Sequence, residues 1–337
     1  MARWTEGRAA RVLGGLIALG IAGTLLAGFL GHLHPALDSL SHFRMHLAVA
    51  AAVAATLLLA LRHLSFGIAL LVVAGTVVVL SWRGVAFEAP DQRLATLPPP
   101  GDRAIYRILH LNLRHNHPEP EKVLSLIGRT RPDILALTEV SDLWRERLEA
   151  IAHAYPYSII CPPPSRIGGV AILSRRPFEA GSEPDCHDRG ALAIARVDLS
   201  GEPVNVAALH LGWPWPFNHP RAQARVSRQL AGLRGSGIVA GDFNAVPWSW
   251  TVRQLASESG FRVIEGVGPT WLFMRLPDWL RRRAGLPIDH ILAKDGIVPH
   301  LIERRDDVGS DHLPVVMEFS VTRQTPRQQV QRAALFP

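Results

Sequence analysis

The first 82 residues are dominated by three apolar stretches. Residues 12–30, 45–61 and 64–82 contain no Asp, Glu, Lys or Arg. As helices they would rise roughly 25–29 Å, enough to cross a slightly thin bilayer. Three such stretches joined by short linkers argue against a buried hairpin in a soluble core, and no small-residue site for signal-peptide cleavage follows the first. The pattern therefore predicts three transmembrane helices within residues 1–83.

The arginines around these stretches predict their orientation. Arg3, Arg8 and Arg11 precede the first stretch, and Arg62 lies in the short loop after the second. Positively charged loops favour the cytoplasmic side, so the N-terminus and Arg62 are expected there. An odd number of spans then places everything after residue 83 outside the cytoplasm. We therefore expect a multi-pass cell-membrane protein with a non-cytoplasmic (periplasmic or extracellular) domain.

The rest of the chain divides by composition. Residues 84–102 are rich in Pro and predict a stiff linker, and residues 322–337 are rich in Gln and Arg and predict a disordered tail. Residues 103–321 form the predicted globular domain. The net charge is +7, but Lys122 and Lys294 are the only lysines among 36 basic residues. This skew indicates a bias towards arginine rather than a dedicated polybasic face.

The two cysteines leave a question open. Cys161 and Cys186 both fall in the globular part. Outside the cytoplasm they could form a disulfide, whereas inside they would be ordinary thiols. Neither has the spacing of a structural zinc site.

Short apolar strands alternate with helical segments through the globular part. The strands outnumber the helices and come both singly and in hairpin-like pairs. This pattern predicts an α+β fold in which two packed β-sheets are flanked by helices, rather than one doubly wound sheet. The main predicted strands lie at residues 105–113, 133–139, 169–173, 191–199, 204–211, 237–240, 288–292, 300–303 and 315–319, and the helices at 121–129, 143–154 and 220–233.

The stretch Gly241-Asp242-Phe243-Asn244 follows one of these buried strands. Side chains alternate along a strand, so Asp242 and Asn244 share one face while Phe243 points into the core. A carboxylate beside a carboxamide can hold a water molecule and a phosphoryl oxygen, as metal-assisted hydrolysis of a phosphoester requires. A simple turn is the alternative, because Gly, Asp and Asn are also turn residues.

Polar side chains recur where the other apolar strands end. They supply mainly oxygen donors, which suit Mg²⁺ or Mn²⁺ better than zinc, and leave histidines free for phosphate contact and proton transfer. We expect them to converge on one rim of the sheet sandwich. These residues are Asn112, Glu139, His210, Asp289, Asp311 and His312.

Taken together, these segments resemble the endonuclease/exonuclease/phosphatase superfamily, which has the DNase I-like fold. The resemblance covers residues from about 105 to 319 and leaves out the apolar N-terminal part. It implies a four-layer α/β sandwich made of two mixed sheets between helices, and a metal-dependent phosphoesterase. The motifs occur in the family's order: Leu111-Asn112-Leu113-Arg114, Thr138-Glu139-Val140, His210-Leu211, Gly241-Asp242-Phe243-Asn244, Ile288-Asp289-His290 and Gly309-Ser310-Asp311-His312.

The resemblance also implies a role for each of these residues. Glu139 would be the main ligand of Mg²⁺ (or Mn²⁺), assisted by Asn112, with Asp311 close to the metal. His210 and Asn244 would contact the phosphate, and Asp289 would hydrogen-bond His312. The base that activates water would be Asp242 or His312, and the sequence leaves these two alternatives open. Four histidines lack a motif and are expected to be solvated loop residues: His115, His117, His187 and His219.

The shared motifs do not identify the substrate. Nucleic acid is slightly favoured, and the alternative is a phospholipid headgroup, as in a sphingomyelinase or inositol phosphatase. A non-catalytic, membrane-tethered binding protein is a third hypothesis, which the complete set of motif residues argues against. The segment Trp213-Pro214-Trp215-Pro216 could stack a base, lie at a membrane interface or pack under a loop. The basic residues of 279–283 could contact a nucleic-acid backbone, anionic lipid or solvent alone.

Overall fold

The structure is a computed structural model that describes residues 2–81, 103–162, 165–217 and 219–322. The predicted linker, and all but the first residue of the predicted tail, lie outside these ranges. Within them, twelve strands form two six-stranded sheets. Sheet 1 has the spatial order β11 (Ile297–Arg304), β12 (Val315–Val321), β1 (Tyr106–Asn112), β2 (Ile134–Val140), β4 (Gly169–Ser174) and β3 (Tyr157–Ile160). Sheet 2 has the order β5 (Asp185–His187), β6 (Leu192–Asp198), β7 (Pro203–His210), β8 (Gly237–Asp242), β10 (Asp289–Lys294) and β9 (Arg262–Val263).

Both sheets are mixed and pack face to face. Strands β1 and β2 are parallel, as are β7 and β8, while the other neighbours are antiparallel. Central strands buried on both faces carry the near-continuous apolar runs that the sequence contains. Ile108 and Ile172 of sheet 1 belong to the same buried cluster as Val206 and Ile238 of sheet 2. This cluster is the main core of the domain.

Helices cover the outer face of each sheet. On sheet 1 lie α5 (Pro120–Thr130) and α6 (Asp142–Leu148), which bury Val123 and Trp144 against it. On sheet 2 lie α7 (His219–Ala231) and α8 (Trp250–Ser259), which bury Val226 and Leu255. A short helix, α9 (Asp278–Ala284), precedes β10. The predicted arrangement of two packed mixed sheets flanked by helices is therefore confirmed.

The N-terminal part is helical and meets the prediction of three spans only in part. It contains α1 (Ala2–Ala27), α2 (Pro35–Ser41), α3 (Arg44–Ala60) and α4 (Leu64–Ser81). Among the described residues, only α4 is by itself long and apolar enough to cross a membrane, and α2 with α3 would count as a second span although they are bent by 67°. The apolar part of α1 is shorter, since the helix ends at Ala27 and not at residue 30. Length and composition thus indicate one span, or two.

The packing of these helices leaves large apolar side chains on the outside. Small residues, including Ala48, Ala51 and Ala55 of α3, are buried between the helices. Val53 and Val72 are among the larger side chains that face outwards, each more than half exposed. Close packing through small residues with large apolar residues outside is typical of helices that contact lipid.

The helical part contacts the domain through specific hydrogen bonds. The Asp38 carboxylate of α2 accepts bonds from the backbone amides of Trp250 and Thr251, at 2.6 and 3.0 Å, and from the Thr251 hydroxyl at 2.9 Å. Free amides at a helix N-terminus favour an anionic partner. The indole of Trp248 also donates to the Ser41 carbonyl at 2.8 Å. Asp38 therefore caps α8 from outside the domain.

A disulfide joins the edges of the two sheets. Cys161 directly follows β3 of sheet 1 and Cys186 lies in β5 of sheet 2, and their sulfurs are bonded at 2.06 Å. Of the two states that the sequence left open, the structure has the disulfide. It closes a loop with a sequence separation of 25 residues.

We predict that reduction of this disulfide destabilises the domain. Closing a loop of 25 residues lowers the entropy of the unfolded chain, which is worth about 3 kcal/mol. We expect a reductant to lower the Tm of the full chain in detergent by roughly 5–10 °C, as followed by intrinsic fluorescence. The double variant Cys161→Ala/Cys186→Ala is the control, because its Tm should not respond to reductant. An unchanged Tm of the wild type, with both thiols shown free by mass spectrometry, would contradict the prediction.

Candidate active site

Three polar side chains form a row at the end of sheet 2. In the pairing of parallel β7 with β8, His210 lies opposite Asp242, and in that of antiparallel β8 with β10, Asp242 lies opposite Asp289. The Nε2 atom of His210 is 3.6 Å from Oδ2 of Asp242. The row is therefore a direct result of strand register.

The row depends on a close approach of two backbones at Gly241. A Cβ atom added at Gly241 would lie 2.0 Å from the carbonyl oxygen of Leu209 on β7. Only a residue without a side chain allows β7 and β8 to come this close together. Gly241 therefore fixes the spacing between His210 and Asp242.

Sheet 1 contributes Asn112 and Glu139, which face this row. The side-chain amide of Asn112 donates to Glu139 Oε1 at 3.1 Å and to Asp242 Oδ2 at 3.0 Å. Asn112 ends β1, and its register partner on β2 is Thr138, directly before Glu139. One carboxamide thus links carboxylates from both sheets.

Two site residues have a strained backbone. Glu139 and Asn244 have φ values of +57° and +48°, in the left-handed region that non-glycine residues seldom adopt. Each such residue costs about 1–3 kcal/mol, and the surrounding contacts must compensate. The amide of Asn244 donates to Asp242 Oδ1 at 2.8 Å, and its carboxamide donates to the Leu211 carbonyl at 2.8 Å. These bonds hold Asn244 beside Asp242, but in a bend after β8 and not on the strand from which the prediction was made.

Asp289 lies between two histidines, one from β1 of sheet 1 and one from the segment before β12. Its Oδ2 is 2.8 Å from His312 Nδ1, which confirms the predicted pair, and its Oδ1 is 2.9 Å from His110 Nε2. All three side chains are buried. His110 had no predicted role. A signal was available, because His110 interrupts an apolar strand two positions before Asn112 and so shares its face.

The charges of this cluster follow from burial and pairing. Burial would raise the pKa of Asp289, but the charge of His312 and hydrogen bonds from both histidines lower it far below its ordinary value. Burial likewise disfavours a charged His312, but Asp289 and Asp242 outweigh it and raise the pKa of His312 to about 10. At neutral pH, His312 is therefore an imidazolium paired with an ionised Asp289.

The carboxyl groups of Asp242 and Glu139 have pKa values that are shifted in opposite directions. Burial raises the pKa of Asp242 above its ordinary value, although His312 and His210 oppose this. Burial acts in the same direction on Glu139, but His210 and the hydrogen bonds from His115 and Asn112 outweigh it and lower its pKa. Glu139 is thus a stable anion, whereas Asp242 has an increased affinity for a proton.

The segment that contains His312 connects the two halves of the site. The Ser310 hydroxyl donates to the Asn112 carbonyl at 2.7 Å and accepts from the His312 amide at 3.1 Å. The Asp311 carboxylate accepts from the indole of Trp271 at 3.2 Å. Trp271 and Ser310 had no predicted role, although Ser310 belongs to a quoted motif. Both hold the predicted residues in place.

These side chains open into one cleft with a volume of about 280 Å³. Trp213 and Trp271 form part of its wall, and Arg189 lies at its edge. Of the eight predicted site residues, the structure brings six to the cleft wall and places Asn112 and Asp289 directly behind it. The six are Glu139, His210, Asp242, Asn244, Asp311 and His312. The arrangement provides three carboxylates, a cationic imidazole and polar donors in one cavity, a set that is suited to binding a phosphate and a metal ion.

Comparison with known proteins identifies the family of this chain. The Endonuclease/Exonuclease/phosphatase family model matches residues 109–312, more than half of the chain. The chain belongs to this family. No curated protein matches it.

Solved structures of the endonuclease/exonuclease/phosphatase family share the fold at low sequence identity. The chain is similar to a family protein from Bacteroides vulgatus, with 15% identity, a TM-score of 0.54, and coverage of 65% of this chain and 100% of that one. A protein from Beutenbergia cavernae has 21% identity, a TM-score of 0.50, and coverage of 65% and 72%. TDP2 of D. rerio, complexed with single-strand DNA product, has 18% identity, a TM-score of 0.51, and coverage of 65% and 100%. These similarities show the fold.

Members of the family use divalent metals, and two groups of residues here are relevant to metal binding. Ligand atoms of Asp242, Asp289 and His312 lie within 4.8 Å of one another and could hold an ion. However, both oxygens of Asp289 already accept hydrogen bonds from histidines, so these three residues are better suited to a hydrogen-bonded chain than to a metal site. Glu139 is ionised and lines the cleft, which fits a Mg²⁺ or Mn²⁺ ligand. The Asn112 oxygen accepts from the Arg114 amide and keeps a second lone pair, so Asn112 could assist as a ligand.

Of the four other histidines expected to be solvated loop residues, His117 and His219 are instead buried and His187 lies in β5, whereas His115 lies in a partly exposed turn. His115 contacts Glu139, with its amide 2.8 Å and its ring Nδ1 3.2 Å from Oε2. His117 is buried with its ring edge against Trp144, and His219 is buried beside the cleft. Local sequence does not reveal such contacts, because each partner lies on a different element. His187 is partly buried, 3.5 Å from Asp185.

We predict that Gly241→Ala disrupts the row of site residues. The added methyl group would overlap the Leu209 carbonyl and force β7 and β8 apart. We expect a loss of roughly 1–3 kcal/mol in the free energy of unfolding, measured by chemical denaturation of the full chain in detergent. Gly128→Ala on α5 is the matched control, because open space surrounds that position and Ala favours the helix. Equal stability of the two variants would contradict this account.

We also predict a pH-dependent contribution to stability from His290. Burial lowers the pKa of His290 from 6.5 to about 4, and its Nε2 donates to the Ala245 carbonyl at 2.7 Å. The unfolded chain binds a proton here that the folded chain rejects, so this stability is lost as the pH falls from 6.5 towards 4. The loss is at most about 3 kcal/mol. In His290→Gln, which keeps a donor, we expect unfolding free energies from pH 7 to 4 to fall less steeply. A slope equal to that of the wild type would refute the assignment.

Proposed function

We propose that this protein is a divalent-metal-dependent phosphoester hydrolase anchored in a membrane by its N-terminal helices. The observation that carries the proposal is the pair of carboxylates, Glu139 and Asp242, linked by Asn112 and facing the charged His312. A metal ligand, a water-activating group and a cationic phosphate contact are the parts that hydrolysis of a phosphoester needs.

Glu139 would hold the metal, with Asp311 close by and Asn112 assisting. These oxygen donors suit Mg²⁺ or Mn²⁺. When bound, the ion would supply positive charge that polarises the phosphoryl group.

Asp242 is the group that we assign to water activation. The pKa of Asp242 is raised by burial, which increases its affinity for a proton, whereas His312 carries a proton already at neutral pH. A protonated imidazole cannot act as a base, so Asp242 Oδ2 accepts the proton of the attacking water. His312 then stabilises the charge on the phosphate, and Asp289 keeps it protonated.

Asn244 and His210 complete the phosphate site. The carboxamide of Asn244 lies next to Asp242 and donates a hydrogen bond to a phosphate oxygen. His210, on the other side of Asp242, contacts the phosphate and assists the leaving oxygen.

The membrane arrangement that we propose has α3 and α4 as spans and the shorter apolar part of α1, Val12–Ala27, as a third, with the catalytic domain outside the cytoplasm. The arginines before α1 and in the loop at Arg62 support a cytoplasmic N-terminus. The Cys161–Cys186 disulfide supports a non-cytoplasmic domain, because disulfides persist in oxidising compartments.

Nucleic acid is the substrate class that the sequence slightly favours, and a phospholipid headgroup is the alternative. The similarity to TDP2 solved with single-strand DNA product supports the first. The apolar helices, which bring the cleft near a bilayer, support the second.

Activity of the full chain in detergent tests the proposal. We expect hydrolysis of bis(p-nitrophenyl) phosphate with Mg²⁺ or Mn²⁺ and none with EDTA. Asp242→Asn and His312→Ala should each lower kcat by about 10³-fold or more, because each removes a group that acts in the transition state. Asp142→Asn is the matched control, since this carboxylate is exposed on α6. Metal-independent turnover, or full activity of Asp242→Asn, would refute the proposal.

A further inference from the structure

Two loops beside the cleft carry large apolar side chains that are exposed. One loop follows His210, and the other follows Trp271 and continues into the start of α9. The cleft lies between them, because Trp213 and Trp271 both line its wall. Trp213 is 58% exposed and Trp279 is 63% exposed. Clusters of exposed aromatic residues of this kind mark binding surfaces. We define the aromatic rim as Trp213, Trp215, Phe217, Phe273, Leu276 and Trp279.

The aromatic rim lies next to the ends of the apolar helices. The ring of His34, at the start of α2, contacts the ring of Trp215 edge-on at 6.2 Å. Nε2 of His46, in the first turn of α3, is 2.7 Å from the carbonyl of Ala284, the last residue of α9. The first loop therefore adjoins α2, and the end of the second adjoins α3.

The ends of α3 and α4 meet the domain at one place. The last residues of α4, Leu80 and Ser81, line a cavity together with Trp248 and Pro287. His46 of α3 and Trp248 also line a shared cavity. A bilayer that surrounds these helices therefore ends at the level of this contact. Because the rim adjoins it, the rim lies at the depth where Trp and other amphipathic rings are enriched in membrane proteins.

The charges around the rim fit a lipid surface. Arg275 lies over the ring of Phe273 at 5.8 Å, and Arg283 lines a cavity of about 310 Å³ with Met45 and Val49 of α3. An arginine beside an apolar cavity suits a lipid, whose headgroup phosphate would contact the guanidinium while its acyl chains contact the apolar side chains. The basic residues of 279–283 are not all exposed, because Arg281 is buried and paired with Asp307 at 3.3 Å.

We propose that the aromatic rim lies in the headgroup layer of the membrane that holds the helices, and that the cleft hydrolyses the phosphoester of a membrane lipid. This inference rests on the proposed function and specifies its substrate class. Stacking of nucleic-acid bases is the competing use of such rings. The rim fits it less well, because Leu276 offers no stacking face and Trp215 already contacts the helical part. Water is the only co-reactant: its oxygen bonds to phosphorus and one of its protons passes to Asp242. The bond between phosphorus and the ester oxygen breaks with its electron pair on that oxygen, which takes up a proton from solvent, and Asp242 then returns its proton to solvent.

The test uses the full chain in vesicles of phosphatidylglycerol and phosphatidylcholine, with sphingomyelin or phosphatidylinositol phosphates added in separate arms. We expect metal-dependent lipid hydrolysis to exceed hydrolysis of plasmid DNA and of RNA. The triple variant Phe217→Ser/Phe273→Ser/Trp279→Ser should lower lipid hydrolysis about tenfold or more. Its rate on soluble bis(p-nitrophenyl) phosphate should stay within about twofold of wild type, because these side chains are exposed and lie outside the cleft wall. Tyr157→Ser, an exposed ring on β3, is the matched control and should change neither rate.

A second measurement tests membrane contact without activity. Lipids with brominated chains quench tryptophan fluorescence on contact, and we expect Trp279→Phe to remove part of the quenched emission. Equal quenching of Trp279→Phe and wild type, equal lipid rates of the triple variant and wild type, or preferred cleavage of nucleic acid would each overturn the inference while leaving the proposed function intact. Failure to hydrolyse even bis(p-nitrophenyl) phosphate would instead refute the proposed function.

Discussion

The site depends on one carboxamide that separates two negative charges. Asn112 donates from the same nitrogen to Glu139 on sheet 1 and to Asp242 on sheet 2. Its own oxygen and its backbone carbonyl are fixed by Arg114 and Ser310. Carboxylates at the facing ends of two sheets would repel each other in a medium of low dielectric constant. Because Asn112 is held on all sides, it can bring them together without neutralising either, and this is why the sandwich can present both at one opening.

A second constraint is the burial of a charge in the same region. An ionised Asp289 in the interior would cost several kcal/mol without partners. His110 from sheet 1 and His312 from the segment before β12 use both of its oxygens. This arrangement also decides the protonation of the cleft, because the positive charge on His312 faces Asp242 at 3.7 Å. The pairing of Asp289 with two histidines thus stabilises the buried charge and also determines the charge of His312 in the cleft.

The sequence allowed the sheets, most strands and the polar strand ends to be predicted, because alternation and turn residues act over a few positions. It did not reveal contacts between distant segments. His110 lies in an apolar strand and meets Asp289 only after two sheets pack. Arg281 lies in a basic run that resembles a solvated helix end, but it is buried and paired with Asp307. The predicted first span extended beyond Ala27, because apolar composition continues past the point where the helix ends.

The cap on α8 has a consequence for how this protein is organised. Asp38 supplies acceptors that a helix normally obtains from its own N-terminal residues, and here they come from a segment more than 200 positions earlier in the chain. The globular domain is therefore not independent of the helical part that precedes it. Replacement of the helical part by an unrelated one would leave two amides of α8 without their acceptor, so one helix end of the domain depends on residues outside it.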